Sequence, residues 1–186
     1  DGGSSKISDR RGGVEEGLEE GKYRWNDYGV DIHYLVKKAT QSPGSTVGSR
    51  SPVLFLPGFG VGSFQFTSIM QEMGDDRDIF SFDWLGQGKS WPSDSTGLQF
   101  SSDLWVQQAA TFIENVVREP VFLAGNSLGG YLGALLAARH PHLVKGVALY
   151  NATPFWAFRP SEVKAGEAGE QSQKSLLSRL FSSVWD

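Results

Sequence analysis

Four short apolar runs, each ended by Gly, Pro or polar residues, constrain the fold of this chain more than any other feature. They are residues 53–56 (VLFL), 79–82 (IFSF), 121–124 (VFLA) and 147–150 (VALY). Continuous apolar runs of this length are typical of strands buried on both faces of a parallel sheet. Residues 101–117, between the second and third runs, place apolar side chains at helical spacing. The alternation predicts an α/β fold with a mostly parallel sheet and flanking helices.

The segments around these runs predict three regions. Residues 1–22 are rich in Gly, Ser and charged side chains, too polar to offset the entropy of ordering, and we expect a disordered leader. Residues 23–150, which include a further strand at 30–36, form the core. Residues 151–186 carry an aromatic stretch and then an amphipathic helical pattern, and we expect the start of a cap or lid. On this interpretation the chain holds only the N-terminal part of its fold.

Composition excludes several function classes. The chain of 186 residues has 17 basic and 21 acidic residues, for a formal net charge of -4, so it lacks the electrostatic footprint of a nucleic-acid binder. It has no cysteine, which excludes disulfides and thiolate metal sites. No run approaches the roughly 20 apolar residues that a membrane helix needs. We therefore predict no nucleic-acid partner, no integral membrane segment, no metal and no cofactor.

The strongest chemical signal is the segment GNSLG at residues 125–129. This G-x-S-x-G motif stands between an apolar run and a helical run at 131–139, the context in which a sharp strand-to-helix turn exposes a nucleophilic serine. We predict that Ser127 is the nucleophile. Gly125, Asn126 and Gly129 shape the turn, and the backbone N–H of Leu128 is one oxyanion donor.

A chance match to five residues is the alternative in a chain with 23 glycines, and a second motif weighs against it. The segment LPGFG at residues 56–60 follows an earlier apolar run, where hydrolases with such a turn keep their second oxyanion donor. We predict that Gly58 shapes this loop and that the N–H of Phe59 is the donor. An ordinary Pro-Gly turn is the alternative for this segment taken alone.

A third motif, DWLGQGKS at residues 83–90, superficially ends like a phosphate-binding loop. That loop requires glycine at position 83, where this chain has Asp83, so we interpret the segment as a structural turn. We expect Asp83 and Ser90 to accept hydrogen bonds from loop N–H groups.

A serine nucleophile needs a base, and the chain offers His33, His140 and His142. We interpret all three as surface or capping residues. In hydrolases with this strand-to-helix turn, the catalytic residues follow one another along the chain in the order serine, acid, histidine. We therefore expect the catalytic histidine to follow residue 186.

With these motifs the chain resembles the α/β-hydrolases and, among them, the pheophytinase-like esterases of plants and algae, over residues 25–156. The segments that carry the resemblance are LFLPGFGVGSF at 54–64, FDWLGQGKS at 82–90, GNSLGGY at 125–131 and NATPFW at 151–156. Three features narrow the resemblance to this family: Pro57 in place of the more usual histidine, Asn126 before the serine, and the NATPFW run at 151–156.

The resemblance implies a chloroplast enzyme that hydrolyses the phytyl ester of pheophytin without a cofactor. It also implies a small hydrophobic ester as substrate and peripheral association with thylakoids or pigment complexes. An isoprenoid alcohol needs an apolar tunnel, and the candidate lining residues, for which core packing is the alternative, are Phe59, Trp84, Trp91, Phe155, Trp156 and Phe158.

Two alternatives stay open. The fold could support another serine hydrolase, or an acyltransferase, acting on lipid-like esters. The chain could instead be a catalytically incomplete fragment that acts as a binding module. A dehalogenase or epoxide hydrolase is disfavoured, because those enzymes place an aspartate where Ser127 stands.

Overall fold

The computed structural model describes residues 17–40, 50–93 and 98–153, which form a six-stranded mixed sheet with helices packed on it. The strands are β1 (Glu19–Trp25), β2 (Val30–Lys37), β3 (Val53–Leu56), β4 (Ile79–Phe82), β5 (Val121–Asn126) and β6 (Val144–Tyr150). Their order across the sheet is β1-β2-β4-β3-β5-β6. Neighbours among β4, β3, β5 and β6 pair in parallel, whereas β1 with β2 and β2 with β4 pair antiparallel. The predicted α/β class with a mostly parallel sheet is confirmed.

Three α-helices connect these strands: α1 (Thr67–Glu72), α2 (Ser102–Phe112) and α3 (Leu128–Arg139). The Ser101 hydroxyl oxygen caps α2 by accepting a hydrogen bond from the N–H of Leu104 at 3.1 Å. The helix predicted over residues 101–117 changes to a π-helical turn at Ile113–Val117 and ends at Arg118, whose φ is 65°.

The core lies on both faces of the sheet because β3 is buried on both. Leu54 and Leu56 point into the larger apolar cluster, and the alternating Val53 and Phe55 point into a smaller one that includes Met70. A strand alternates its side chains between faces, so full burial of this run confirms its predicted position inside the sheet.

The N-terminal boundary of the core was predicted wrongly. Residues 19–22, assigned to a leader, form the first half of β1, which pairs with β2 along its whole length. Their side chains are mostly charged because β1 is an edge strand whose outer residues face solvent. Residues 1–16 of the predicted leader, and the predicted cap from residue 154 onward, lie outside the described residues.

The last apolar run also differs from its prediction. β6 extends from Val144 rather than Val147, and among the described strands it is the outermost one on the side opposite β1. Val147, Leu149 and Tyr150 are 39%, 54% and 45% exposed, so in the described structure this run is not buried on both faces as predicted.

The four parallel strands end at one edge of the sheet, which positions the candidate site. The loops that follow β3, β4, β5 and β6 begin at Pro57, Asp83, Ser127 and Asn151, respectively. In open α/β sheets, ligands bind outside the carboxyl ends of the strands. Over residues 17–40, 50–93 and 98–153, no helix combines the length and apolar character required to cross a membrane.

Candidate active site

Ser127 is the single residue between β5 and α3. Its φ of 50° and ψ of -117° lie where residues with a side chain rarely occur. Such a conformation costs on the order of 1–3 kcal/mol and persists only when surrounding contacts fix it. The β5–α3 turn therefore stores backbone strain at the residue predicted to be the nucleophile.

Backbone hydrogen bonds hold this strained turn from the β6 side. The N–H of Ser127 donates to the carbonyl oxygen of Tyr150 at 3.0 Å, and the carbonyl oxygen of Ser127 accepts from the N–H of Thr153 at 3.0 Å. The same oxygen accepts from the N–H of Gly130 at 3.0 Å. The end of β6 and the segment that follows it thus hydrogen-bond to the turn and fix its conformation.

The flanking glycines are required by close packing. A Cβ atom on Gly125 would lie 2.4 Å from the carbonyl oxygen of Gly129, and a Cβ atom on Gly129 would lie 2.0 Å from that of Leu56. Both distances are far below van der Waals contact with backbone atoms that cannot move aside. At both positions α3 packs against backbone too closely to admit a side chain, and the roles of Gly125 and Gly129 in shaping the site stay predictions.

Ser127 is partly buried, and its hydroxyl has one hydrogen-bond partner in the described part of the chain. Its Oγ lies 3.0 Å from Oγ1 of Thr153. Sequence reasoning assigned Thr153 no role although it stands in the NATPFW segment at residues 151–156, because only the pairing of β6 with β5 brings it to Ser127.

The loop after β3 lies against this turn. A Cβ atom built on Gly58 would be 3.3 Å from Oδ1 of Asn126 and 3.5 Å from Cβ of Ser127. Leu128 is the first residue of α3, where backbone N–H groups have no partner within the helix and the helix dipole favours negative charge. The structure thus brings together the loops that carry Phe59 and Leu128. Their roles as oxyanion donors stay predictions.

Side-chain acceptors fix the loop on both sides of Phe59. The N–H of Gly58 donates to Oε1 of Gln65 at 3.0 Å, and the N–H of Gly60 donates to Oε1 of Gln87 at 2.7 Å. Gln65 also donates from Nε2 to Oδ1 of Asn126 at 3.2 Å. Neither glutamine was found from the sequence, since neither occupies a motif position whose chemistry is diagnostic.

A buried polar network lies behind this loop. Asp83 is 2% exposed and accepts from the N–H groups of Ser63 and Lys89 at 2.5 and 2.7 Å, while Nδ1 of His33 lies 3.0 Å from its Oδ2. Burial acts to raise the pKa of Asp83, but the hydrogen bonds from His33, Lys89 and Ser63 outweigh it, so the net shift is downward. The hydrogen bonds that Asp83 accepts from the N–H groups of Ser63 and Lys89 confirm the structural interpretation of the 83–90 turn.

Ser90 accepts a hydrogen bond, but not from the N–H of its own loop as we expected. Its Oγ accepts from the backbone N–H of His33 at 2.9 Å, so it satisfies a group at β2 rather than one within its own loop.

The interpretation of His33 as a surface or capping residue is wrong. It is 3% exposed, and its Nε2 lies 2.7 Å from Oε1 of Glu20, a carboxylate that Lys89 also contacts. The hydrogen bonds from Lys89 and His33 lower the pKa of Glu20. The pairing of β1 with β2 brings Glu20 to His33, and this pairing was invisible once residues 1–22 were assigned to a leader.

The other two histidines match their interpretation. His140 is the residue at which α3 ends, and His142 is exposed in the short turn that follows. None of the three histidines is a hydrogen-bond partner of Ser127 in residues 17–40, 50–93 and 98–153. Those ranges also contain no cluster of three or more His, Cys, Asp or Glu side chains that could hold a metal ion.

The aromatic residues predicted to line a substrate tunnel differ in their burial. Trp84 is 0% exposed, contacts Trp105 and donates from Nε1 to the carbonyl oxygen of Pro57 at 2.9 Å, so it is a core residue. Trp91 is 60% exposed, and Phe59 is partly buried against the larger core cluster. The remaining three, Phe155, Trp156 and Phe158, lie outside the described residues.

Comparison with known proteins agrees with this geometry. Residues 51–180 match the family described as the alpha/beta hydrolase fold. Over 141 residues, 61% of this chain and 29% of the relative, the sequence is 44% identical to the chloroplastic pheophytinase of Arabidopsis thaliana. It is 30% identical to the (lyso)-N-acylphosphatidylethanolamine lipase of Homo sapiens over 139 residues, 70% of this chain and 39% of the relative.

A solved structure gives the same fold. A bacterial membrane phospholipase A, described as a virulence factor, superposes with a TM-score of 0.63 at 25% identity, over 74% of this chain and 40% of that chain. The chain spans less than half the length of these relatives. The sheet order and the strained serine between β5 and α3 agree with the matched family model. The chain therefore belongs to the α/β-hydrolase family, in which it is pheophytinase-like.

Proposed function

We propose that this chain carries the nucleophile of a serine carboxylic-ester hydrolase that acts through an acyl-enzyme. The observation that carries the proposal is Ser127, the single residue between β5 and α3, which has a positive φ and is partly buried. Strain of this kind is retained where it positions a functional group. The close approach of Gly58 to Ser127 supports an oxyanion site beside the nucleophile.

The reaction follows from these groups. Oγ of Ser127 attacks the ester carbonyl carbon while a histidine base takes its proton, and the carbonyl electrons move onto the oxygen. The N–H groups of Phe59 and Leu128 stabilise that oxyanion. The carbonyl then re-forms, the alcohol leaves with the proton from the histidine, and water hydrolyses the acyl-enzyme in the same way. The histidine and its acidic partner follow Ser127 in the chain order of this fold.

The substrate we propose is pheophytin or a related chlorophyll derivative, whose phytyl ester is cleaved to phytol and a pheophorbide. The 44% identity to a chloroplastic pheophytinase supports this choice. The proposal includes a chloroplast location and peripheral association with thylakoids or pigment complexes. The chemistry needs no cofactor, because the serine, the base and the oxyanion donors supply every step.

A lipid-like ester is the second candidate substrate, for hydrolysis or acyl transfer. It is supported by 30% identity over 70% of this chain to a lipase that, by its name, acts on N-acylphosphatidylethanolamine. Both substrates join an acyl group to a large apolar moiety, so an apolar site would serve either one.

The test compares phytol release from pheophytin by the protein made from its complete coding sequence with release by its Ser127→Ala variant. We expect the variant to lose at least about 10³-fold in turnover, because no other group replaces the nucleophile. Chromatography measures phytol, and a short-chain nitrophenyl ester and an N-acylphosphatidylethanolamine are assayed in parallel.

The matched control is Ser68→Ala, which removes an exposed hydroxyl on α1 and should leave turnover unchanged. Hydrolysis of the short ester or the lipid that depends on Ser127, without phytol release, would retain the esterase and reject the pigment substrate. Turnover of any ester that persists in Ser127→Ala would contradict the mechanism.

A further inference from the structure

Gln65 joins the loop after β3 to the end of β5, the strand that leads into the nucleophile. Its Oε1 accepts from the N–H of Gly58 at 3.0 Å, and its Nε2 donates to Oδ1 of Asn126 at 3.2 Å. Gly58 belongs to the loop after β3, and Asn126 is the last residue of β5. One exposed side chain therefore contacts both halves of the site.

The chemistry of these contacts requires an amide. The backbone N–H of Gly58 can only donate, so the oxygen of the Gln65 side chain must face it. The NH2 group then faces Asn126, whose side chain must present its oxygen. An aliphatic side chain of the same length could make neither bond.

The bridge fixes a short separation. A Cβ atom on Gly58 would lie only 3.3 Å from Oδ1 of Asn126, so the loops touch where Gln65 joins them. Gly58 immediately precedes Phe59, and Asn126 is two residues before Leu128. The separation of the two proposed oxyanion donors therefore depends on the separation that Gln65 sets.

Two further hydrogen bonds of the segment after β3 lead away from the nucleophile. Gln87 holds Gly60 and Asp83 holds Ser63, and both acceptors are buried residues of the turn after β4. Oε1 of Gln87 accepts from the N–H of Gly60, whereas Nε2 of Gln87 has no hydrogen-bond partner among the described residues. These contacts anchor the far side of the loop, whereas Gln65 ties its near side to the serine turn.

We propose that Gln65 is a positioning residue that sets the spacing between the two halves of the oxyanion hole. The inference rests on the proposed function for its catalytic consequence, because oxyanion donors act only within about 2.7–3.1 Å of the developing charge. A displacement of about 1 Å in such a site costs on the order of 10²-fold in rate.

The test is Gln65→Met in the complete protein, with an ester that the wild type hydrolyses. Methionine keeps the length of the side chain and removes both hydrogen bonds. We expect kcat to fall by about 10- to 100-fold with KM within about twofold, and the affinity for a trifluoromethyl ketone, which forms a tetrahedral adduct with serine, to fall by a similar factor. Gln107→Met on the exposed face of α2 is the matched control and should change none of these values.

A second readout separates this inference from the proposed function. We expect amide hydrogen exchange to become faster in Gln65→Met at residues 58–60 and 126–128 together, since the bridge holds both loops. If the wild type hydrolyses no ester, the proposed function fails and exchange alone decides whether Gln65 couples the loops. Unchanged exchange in both segments, or an unchanged kcat in an active enzyme, would overturn the inference. A rise in KM alone would also overturn it, because that result marks a substrate contact.

Discussion

At the scale of single residues, the site depends on a serine whose backbone conformation its neighbours impose. Ser127 has a φ of 50° and is fixed by hydrogen bonds to Tyr150, Thr153 and Gly130. The motif at residues 125–129 was enough to predict where the serine would stand. Thr153 and Gln65 could not be predicted, because they contact Ser127 and its neighbour Asn126, respectively, from segments that are distant along the chain.

Thr153 gives a residue-scale prediction about the nucleophile. Its Oγ1 lies 3.0 Å from Oγ of Ser127, and a hydrogen bond of this kind contributes about 1 kcal/mol. We expect Thr153→Val, which keeps the shape and removes the hydroxyl, to lower the melting temperature by about 2–4 °C. We also expect it to lower kcat about fivefold, because Oγ of Ser127 loses the contact that orients it. Steady-state kinetics and thermal unfolding measure both.

Thr153→Ser is the matched control for that substitution, because it restores a hydroxyl at the same position. We expect it to recover most of the lost turnover. Equal kcat values for the wild type and Thr153→Val would contradict a role for this contact.

At the scale of elements, the packing of α3 against the end of β3 decides which residues the serine turn accepts. We expect Gly129→Ala to destabilise the protein by roughly 1–3 kcal/mol or more, because its Cβ would lie 2.0 Å from the carbonyl oxygen of Leu56. Gly133→Ala on the same helix should cost far less, since its Cβ would lie 3.1 Å from a movable methyl group of Leu56. Denaturant unfolding of both variants measures the difference, and equal stabilities would contradict the packing argument.

The network that joins β1, β2 and the loops after β3 and β4 predicts a dependence on pH. The pKa of Asp83 is lower in the folded protein than its ordinary value of 3.8, so the unfolded state binds its proton first as the pH falls. Its contribution to stability is thus complete well above pH 4 and is lost as the pH falls through the folded pKa. We expect the wild type to be more stable than Asp83→Asn at pH 7, with a gap that narrows below about pH 4.

Denaturant unfolding at a series of pH values tests this prediction. Glu20→Gln is the comparison, because Glu20 belongs to the same network but lies at its more exposed end, where solvent weakens the interaction. It should lose less stability than Asp83→Asn. A gap between the wild type and Asp83→Asn that stays constant from pH 7 to pH 3 would contradict the account.

The sequence predicted the bounds and burial of some strands correctly and those of others incorrectly. The runs at β3 and β4 have the predicted bounds, because a fully apolar strand bounded by turn residues is a strong local signal. β1 was missed because its Glu and Lys side chains suit an exposed edge and resemble those of a disordered leader. The exposure of β6 was missed because an apolar run carries no information about whether its strand has a neighbour on each side.

At the scale of the whole molecule, the parallel sheet assembles the site. The loops after β3, β4, β5 and β6 begin at one edge of the sheet, and the segments after β3 and β6 contact the serine turn after β5. The order of the motifs along the chain was enough to predict this convergence, since the carboxyl ends of parallel strands share an edge. The hydrogen bonds that set its geometry depend on side-chain positions and became visible only in the folded structure.

The measurement that tests the central claim most directly is the site of covalent labelling by a fluorophosphonate, which reacts with activated serines. Mass spectrometry of the digested complete protein locates the adduct. We expect it on the peptide that contains Ser127 and expect labelling to vanish in Ser127→Ala while Ser68→Ala is labelled as fast as the wild type. Labelling at another serine, or none at Ser127 in a protein that hydrolyses esters, would contradict the assignment of Ser127 as the nucleophile.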